Sequence, residues 1–363
     1  MFRSQRPLGA ARRASRGVLA LAAFTAALFA AGCGKDNTVA PGPERPYLGM
    51  VANPMDAYVN DADSNRVVLE TLRSTGVDFL QSGDLWKTLE SVPGSPSAAV
   101  PRFQAKVFAA FGLRQYYNLR IVDTNQRGTP SDLNATAWDA PEMFTRADAM
   151  VDSLMGVAQL YPFVAFSLGN EVDVYFGTHP GELPAFRALL RREIARVHAS
   201  RPGIPVGCCT TSPVRNANAW VGDTLNAYTD VRVYTYYPFQ PGSDFQHLPP
   251  TTAGADLDAM RDHGATPMLL QEVGYSSSAA CGSSADAQAS FVRRFRQWLA
   301  AQSRARVLGA NWFLYTDWSG ATLNTLFAYY GLVSPGFAGY LGGLGLRDSN
   351  GVVKPAWEAW RNP

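Results

Sequence analysis

Short apolar runs alternate with amphipathic stretches along most of this chain. Strands are predicted at 47–52, 77–80, 115–122, 163–168, 205–209, 231–236, 268–273 and 307–314. Each is a brief, nearly continuous run of apolar or aromatic residues, the pattern of a strand buried on both faces. Between them lie segments with the spacing of amphipathic helices, at 65–75, 103–111, 141–160, 183–199, 219–228, 255–263 and 285–301. Asn65 is placed to cap the first of these and Gly76 to stop it. A last helical turn surrounds Trp357 and Trp360. Eight strand–helix pairs between residues 47 and 363 match the repeat number and length of a (β/α)8 TIM barrel, an α/β fold, in a single domain. An open doubly wound sheet also alternates strands and helices, but it calls for a glycine-rich turn such as G-x-G-x-x-G after an early strand. None follows the first strand here. Gly342-Gly343-Leu344-Gly345 comes too late and opens no helix after a strand.

Two of the apolar runs end in carboxylates. Phe163-Val-Ala-Phe-Ser-Leu-Gly-Asn-Glu171 closes in Asn170 and Glu171, and Pro267-Met-Leu-Leu-Gln-Glu272 closes in Glu272. An unpaired charge at the end of a buried strand costs several kcal/mol, so each needs a partner or a ligand. In a parallel barrel the carboxyl ends of the strands share one rim. Glu171 and Glu272, from the fourth and seventh strands, are therefore the candidate acid/base and nucleophile pair. Each glutamate taken alone reads equally as a helix cap or an arginine partner.

These residues and three further segments resemble the retaining glycoside hydrolases of clan A, which carry Asn-Glu after strand four and a nucleophilic Glu after strand seven. The matches are Gly169-Asn170-Glu171 and Gln271-Glu272-Val273-Gly274-Tyr275. Trp86-Lys-Thr-Leu-Glu90 with Pro93-Gly94 resembles a W-x-x-L-E-x-x-P-G turn after strand two. Tyr234-Thr-Tyr236-Tyr237-Pro238 is similar to the strand-six segment, and Gly345-Leu346 to Lys354-Pro355-Ala-Trp357 to the closing one. The resemblance runs from Tyr47 to Trp360. It implies hydrolysis of a β-linked poly- or oligosaccharide, of the endo-acting galactanase, mannanase or glucanase type, by double displacement. Glu272 would be the nucleophile and Glu171 the acid/base. Asn170 would bind a substrate hydroxyl, and Tyr236 would hold Glu272. No cofactor or metal is implied. The arginine that many members carry near the end of strand two is missing from Gln81-Ser-Gly-Asp84. Arg120, at the end of strand three, either replaces it or pairs with Asp123 or another rim acid.

Aromatic residues crowd the expected rim, and sugar rings pack on aromatic planes. Trp312 is the expected platform under the cleaved sugar, against the alternative of barrel core, and Trp86 is a second expected contact. Tyr175, Phe176, Tyr236, Tyr237, Tyr275, Tyr315 and Trp318 belong to the same crowd, with Tyr175 and Phe176 read as loop anchors.

The chain has 363 residues, 47% hydrophobic and 17% charged, enough for a large core. Its net charge of +2 belongs to the N-terminus. Arg3, Arg6, Arg12, Arg13 and Arg16 precede an apolar segment from Val18 to Ala31, too short for a membrane span and typical of a signal peptide. Ala30-Ala31-Gly32-Cys33 resembles a bacterial lipobox with Ala30 where Leu is usual. The expected layout is therefore a lipoprotein leader at 1–32, a flexible tether at 33–46 and a catalytic domain at 47–363. Cys33 would be lipid-anchored at the cell envelope; the alternative is a secreted protein. Removing residues 1–32 lowers Lys plus Arg from 32 to 27 against 30 Asp plus Glu, which leaves no nucleic-acid footprint. Cys208, Cys209 and Cys281 remain, and one bridge from the adjacent pair to Cys281 is expected, against three buried thiols. The four histidines lack metal-ligand spacing, and no serine sits in G-x-S-x-G. A monomer is expected. A reading from another class is a surface protein that binds glycan on a degenerate glycosidase barrel without cutting it.

Overall fold

The computed structural model describes residues 45–363. The expected leader, Cys33 and the tether up to residue 44 lie outside the described residues. Eight parallel strands form the expected (β/α)8 barrel: β1 Tyr47–Met50, β2 Phe79–Leu85, β3 Arg114–Asp123, β4 Phe163–Asn170, β5, β6 Arg232–Tyr236, β7 Met268–Val273 and β8 Val307–Trp312. β5 is broken into Val206–Gly207 and Cys209–Thr211. The first piece pairs with β4 and the second with β6, while β1 pairs with both β2 and β8. The circuit is thus closed through Cys208. Outside it lie α1 Ala62–Ser74, α2 Ala99–Ala110, α3 Pro141–Leu160, α4 Leu183–Ser200, α5 Ala219–Asn226, α6 Ala253–Asp262, α7 Ala285–Ala300 and α8 Pro355–Arg361. No helix of the described residues is long and apolar enough to cross a membrane.

Strand alternation decides which residues meet where. Phe79, Tyr116, Val164, Ala165, Cys209, Val231, Val233 and Leu269 form one buried cluster drawn from six of the strands and the loop before β6. Room for Phe79 comes from Gly49 on β1, where an added Cβ would lie 2.4 Å from the Phe79 ring. Larger clusters fill the space between strands and helices. The start of α1 differs from expectation. Asp61 is its cap, accepting from the Ser64 N–H at 2.7 Å, and Asn65 lies buried one turn in, donating back to the Asp61 and Val59 carbonyls. Asp binds a free N–H of the first turn as well as Asn does, so the earlier acid takes the position.

No disulfide forms among the described residues; Cys208, Cys209 and Cys281 are free and buried. Adjacent residues on a strand face opposite ways. Cys209 packs inside the barrel, Cys208 packs with the outer layer, and Cys281 lies against the Gly336 carbonyl at 3.3 Å.

The largest feature that the apolar pattern does not announce follows β8. Residues 313–346 carry two helices, Gly320–Tyr330 and Pro335–Leu341, and form a strap over the barrel mouth. Asp56 after β1 accepts from Ser319 N (2.8 Å) and Thr322 Oγ1 (2.7 Å). Asp123 on β3 accepts from Tyr329 (2.7 Å), and Asp244 after β6 accepts from Gly336 N (2.8 Å). Ser276 after β7 donates to Gly339 O at 2.7 Å.

On the far side, α3 and α4 are joined by Arg192–Asp148 and Arg196–Asp152 pairs, half-exposed and worth ~0–1 kcal/mol each. Between them Glu193 is 1% exposed, and neither carboxylate oxygen has a partner. Burial, and then the Asp148 charge, push Glu193 up to about 8. A carboxyl raised on folding favours the fold below its unfolded pKa and loses that contribution as pH rises through the folded value. The Tm should therefore fall between about pH 5 and 8 in the parent, and Glu193→Gln should flatten that fall by a few degrees in thermal denaturation.

Candidate active site

The residues after β4 are shaped by two left-handed positions. Gly169 has φ 82°, and a Cβ there would sit 2.4 Å from Val172 Cγ1. Glu171 itself has φ 48°, a conformation that costs a non-glycine residue ~1–3 kcal/mol. It caps the short helix Val172–Thr178 and turns its carboxylate across the mouth. There Oε1 accepts from Thr235 Oγ1 at 2.8 Å and Oε2 from Thr124 Oγ1 at 3.0 Å. These hydroxyls come from β6 and from the end of β3, so the side chain is held from both sides.

Glu272 reaches the same mouth by a different device. Tyr234 of β6 stands opposite Leu270, but Thr235 stands opposite Glu272, so Gln271 is an extra residue on β7. Such a bulge re-aims the side chains around it. Gln271 and Glu272 then both face inward, and Gln271 Nε2 lies 3.5 Å from Glu272 Oε1. Tyr237, just past β6, donates to Glu272 Oε2 at 2.7 Å.

A polar layer lies beneath the two glutamates. Gln271 Oε1 accepts from Tyr116 (2.6 Å) and Asn118 (2.9 Å), and its Nε2 donates to Asn170 Oδ1 (2.6 Å). Asn118 also holds Ser167 Oγ and the Gly169 carbonyl. Asn170 donates in turn to Asp123 Oδ1 at 3.0 Å. Asn311 on β8 bonds Gln81 and the Gln271 carbonyl. Gln271, Asn118, Asn170 and Asn311 are buried and each bonds more than one partner, which locks the rotamers under the carboxylates.

The two carboxyls are electrostatically unlike. Burial, and then the Glu272 charge, push Glu171 up to about 8, so it keeps its proton at neutral pH. Burial raises Glu272 as well, and the Asp123 charge adds to the rise, while the Tyr237 hydroxyl, the Arg120 charge and the Gln271 amide oppose it. Glu171 is thus the member that holds a proton at neutral pH, while Glu272 is the one surrounded by hydrogen-bond donors and a positive charge.

Both carboxylates line one cavity of about 650 Å³. Asn170 and Arg120 line it too. Arg120 forms no ion pair within 4 Å among the described residues, and its Nε is buried without a partner. It acts on Asp123 and Glu272 through its charge, neither replacing the strand-two arginine by direct contact nor pairing directly with Asp123. Three expected contacts are not made as expected. The Tyr236 hydroxyl turns outward to Asp256 on α6 at 2.9 Å, and its neighbour Tyr237 is the residue that reaches Glu272. Trp312 is fully buried among Phe291, Phe295 and Trp360, because Asn311 takes the inward position on β8. Trp86 is also fully buried. Its Nε1 donates to Glu90 at 2.6 Å, and Glu90 in turn holds Gly94 N and Arg146, so this motif is a structural turn.

Of the aromatic crowd, Tyr236, Tyr237 and Trp318 line the cavity, together with Phe239 and Phe245 after β6. Tyr175 and Phe176 are anchors as read, the first bonded to Glu182 and the second packed on Phe186. The strap supplies the rest of the wall, including Tyr329, Tyr330, Phe337 and Tyr340. Sequence reasoning missed Thr124, Thr235 and the strap helices, and it named Asp123 only as a possible partner of Arg120. The one available signal was position, since each lies just at or beyond a strand's carboxyl end. Among the described residues, no three His, Cys, Asp or Glu side chains gather as a metal site.

No protein-family model matches this chain, and no curated protein matches it. Solved structures do. GH5_18 from Streptomyces cattleya in complex with GlcNAc aligns with a TM-score of 0.67 at 16% identity, over 88% of this chain and 80% of that one. A GH5_18 from Bifidobacterium longum subsp. longum ATCC 55813, in complex with Manβ1-4GlcNAc, aligns at 0.66 and 16%, over 87% and 77%. The exo-β-1,4-mannosidase Op5Man5 from Opitutaceae bacterium strain TAV5 aligns at 0.66 and 18%, over 87% of this chain and 58% of its own. At these identities the likeness is one of fold, and it agrees with the barrel of the clan A glycoside hydrolases.

The asymmetry of the two carboxyls can be read without turnover. A carboxyl titration followed by infrared or NMR should show two groups near pH 8 in the parent protein, Glu171 and Glu193, and only one in Glu193→Gln. Glu272→Gln removes the neighbouring charge, so the Glu171 titration should move down.

Proposed function

We propose that this chain is a retaining glycoside hydrolase acting on a β-linked oligosaccharide. The observation that carries this reading is the pair of carboxyls on one cavity, one held protonated by burial and its neighbour's charge, the other held by the Tyr237 hydroxyl and the Gln271 amide under the Arg120 charge. Retaining cleavage needs that division of labour, with the carboxyls ~5–5.5 Å apart. Glu272 attacks the anomeric carbon, and Glu171 gives its proton to the departing oxygen. The covalent sugar is then released by a water that Glu171 deprotonates. Tyr237 keeps Glu272 in its attacking orientation and stabilises its charge before the bond forms. Asn170 has an N–H available to a sugar hydroxyl beside the acid. Arg120 supplies a positive field that favours an ionised Glu272.

The sugars named with the fold neighbours, GlcNAc and Manβ1-4GlcNAc, support a β-linked hexoside as substrate class. The strap supports a substrate that enters end first. It is fixed to the loops of β1, β3, β6 and β7, so a long chain lying across the mouth in both directions meets it. That favours release of terminal units over the endo mode of the galactanase, mannanase or glucanase type. In the same proposal the mature chain is held at the bacterial cell envelope by lipid on Cys33.

The test is a panel of β-linked oligo- and polysaccharides and aryl β-glycosides, with reducing ends and product lengths measured. Short products should accumulate from the first minutes while long chains keep their viscosity. Glu171→Gln and Glu272→Gln should each lower kcat by ~10³-fold or more on unactivated substrates, with ligand binding kept. Activity should fall as pH rises through about 8, where Glu171 loses the proton it must donate. A parent protein that binds these glycans and cuts none would leave the binding-only reading in place.

A further inference from the structure

The strap does more than wall the cavity. Its Tyr329 hydroxyl donates to Asp123 Oδ2 at 2.7 Å. Asp123 is 2% exposed, and its other oxygen accepts from Asn170 Nδ2 at 3.0 Å. Asn170 Oδ1 is taken by Gln271 Nε2 at 2.6 Å. A carboxamide is nearly symmetric in shape, so its orientation is decided by its partners. Here an acceptor on one side and a donor on the other permit one orientation only. Gln271 cannot reverse its own amide, because its Oε1 already accepts from Tyr116 and Asn118. One of the two Asn170 N–H bonds is spent on Asp123. The other is left for the cavity that Asn170 shares with Glu171.

We infer that Asp123 and Tyr329 are positioning residues for the reaction: Tyr329 fixes Asp123, and Asp123 aims the free Asn170 N–H at a substrate hydroxyl. This rests on the glycoside hydrolase reading. The hydroxyl beside the reacting carbon is the one whose hydrogen bonds tighten in the transition state of glycoside cleavage. An Asn170 free to swing gives part of that stabilisation away, although it touches the same atoms. The strap, which joins the barrel after β8, thus contributes to catalysis through a contact with β3 on another part of the rim.

The experiment compares Tyr329→Phe, Asp123→Ala and the double variant in the full chain. Each is assayed on the best aryl β-glycoside of the panel and on its 2-deoxy counterpart. Tyr329→Phe keeps the ring but takes the donor from Asp123 Oδ2, so the Tm should fall by no more than a few degrees. It should lower kcat on the parent substrate ~10-fold with KM little changed, and Asp123→Ala should lower it ~10–100-fold, as expected for bonds to a charged group. On the 2-deoxy substrate both losses should shrink toward none. The double variant should be no worse than Asp123→Ala alone, since both act along one path. Equal losses on both substrates, multiplying losses, or an unchanged kcat in Tyr329→Phe would overturn the inference while leaving the hydrolase reading intact. A parent protein that turns over no glycoside overturns that reading first, and the positioning role with it.

Discussion

The Gln271 side chain is the constraint on which the candidate site depends. It sits at the β7 bulge, takes two hydrogen bonds from β3 and gives one to the last residue of β4. Glu171 and Glu272 come from β4 and β7, far apart in sequence, and this one amide ties their two neighbourhoods together. Its layer is buried, so each bond is made in a low dielectric where an unmade one is costly. A leucine in its place would fill similar volume but leave Asn170 Oδ1 without its donor and take one acceptor each from Tyr116 and Asn118. The floor is therefore rigid for the same reason that it is polar.

That rigidity is what lets two chemically identical carboxyls behave differently. Both are enclosed, and enclosure alone would raise both. The asymmetry comes from what surrounds each one. Glu171 meets neutral threonine hydroxyls and a negative neighbour. Glu272 meets a tyrosine hydroxyl, an amide and the Arg120 charge. The strain at Glu171, in its left-handed backbone, is compensated by the elements that clamp its carboxylate from two sides.

Much of this was legible in the sequence. The apolar runs located all eight strands, and Pro141–Leu160 and Met268–Val273 have the predicted bounds. The two glutamates reach one cavity because strand carboxyl ends share a rim, which is a property of the fold and needs no side-chain detail. What failed was parity. Tyr236 for Tyr237 and Trp312 for a neighbour are each a choice of the wrong face of a strand. A one-residue error on a strand exchanges barrel interior for helix layer. Apolar runs buried on both faces carry no alternation to mark that choice. The bulge at Gln271 is equally silent, since an extra residue on a strand looks like any other. The strap failed for a related reason. The helix Gly320–Tyr330 buries none of its side chains fully, so it lacks the contrast of faces by which a packed helix announces itself.

The break in β5 has a consequence of its own. Every other barrel strand is one continuous piece, but here the circuit is completed by a two-residue and a three-residue fragment, each paired on a single side. A fragment held on one side only is the easiest part of a ring to detach, so local unfolding of the wall should begin between β4 and β6. Cys208 is the hinge of that opening and Cys209 its inner neighbour, both hidden in the closed state. These two thiols are built-in reporters of the barrel's breathing, because a reagent too large to enter the closed wall can modify them only while the ring stands open.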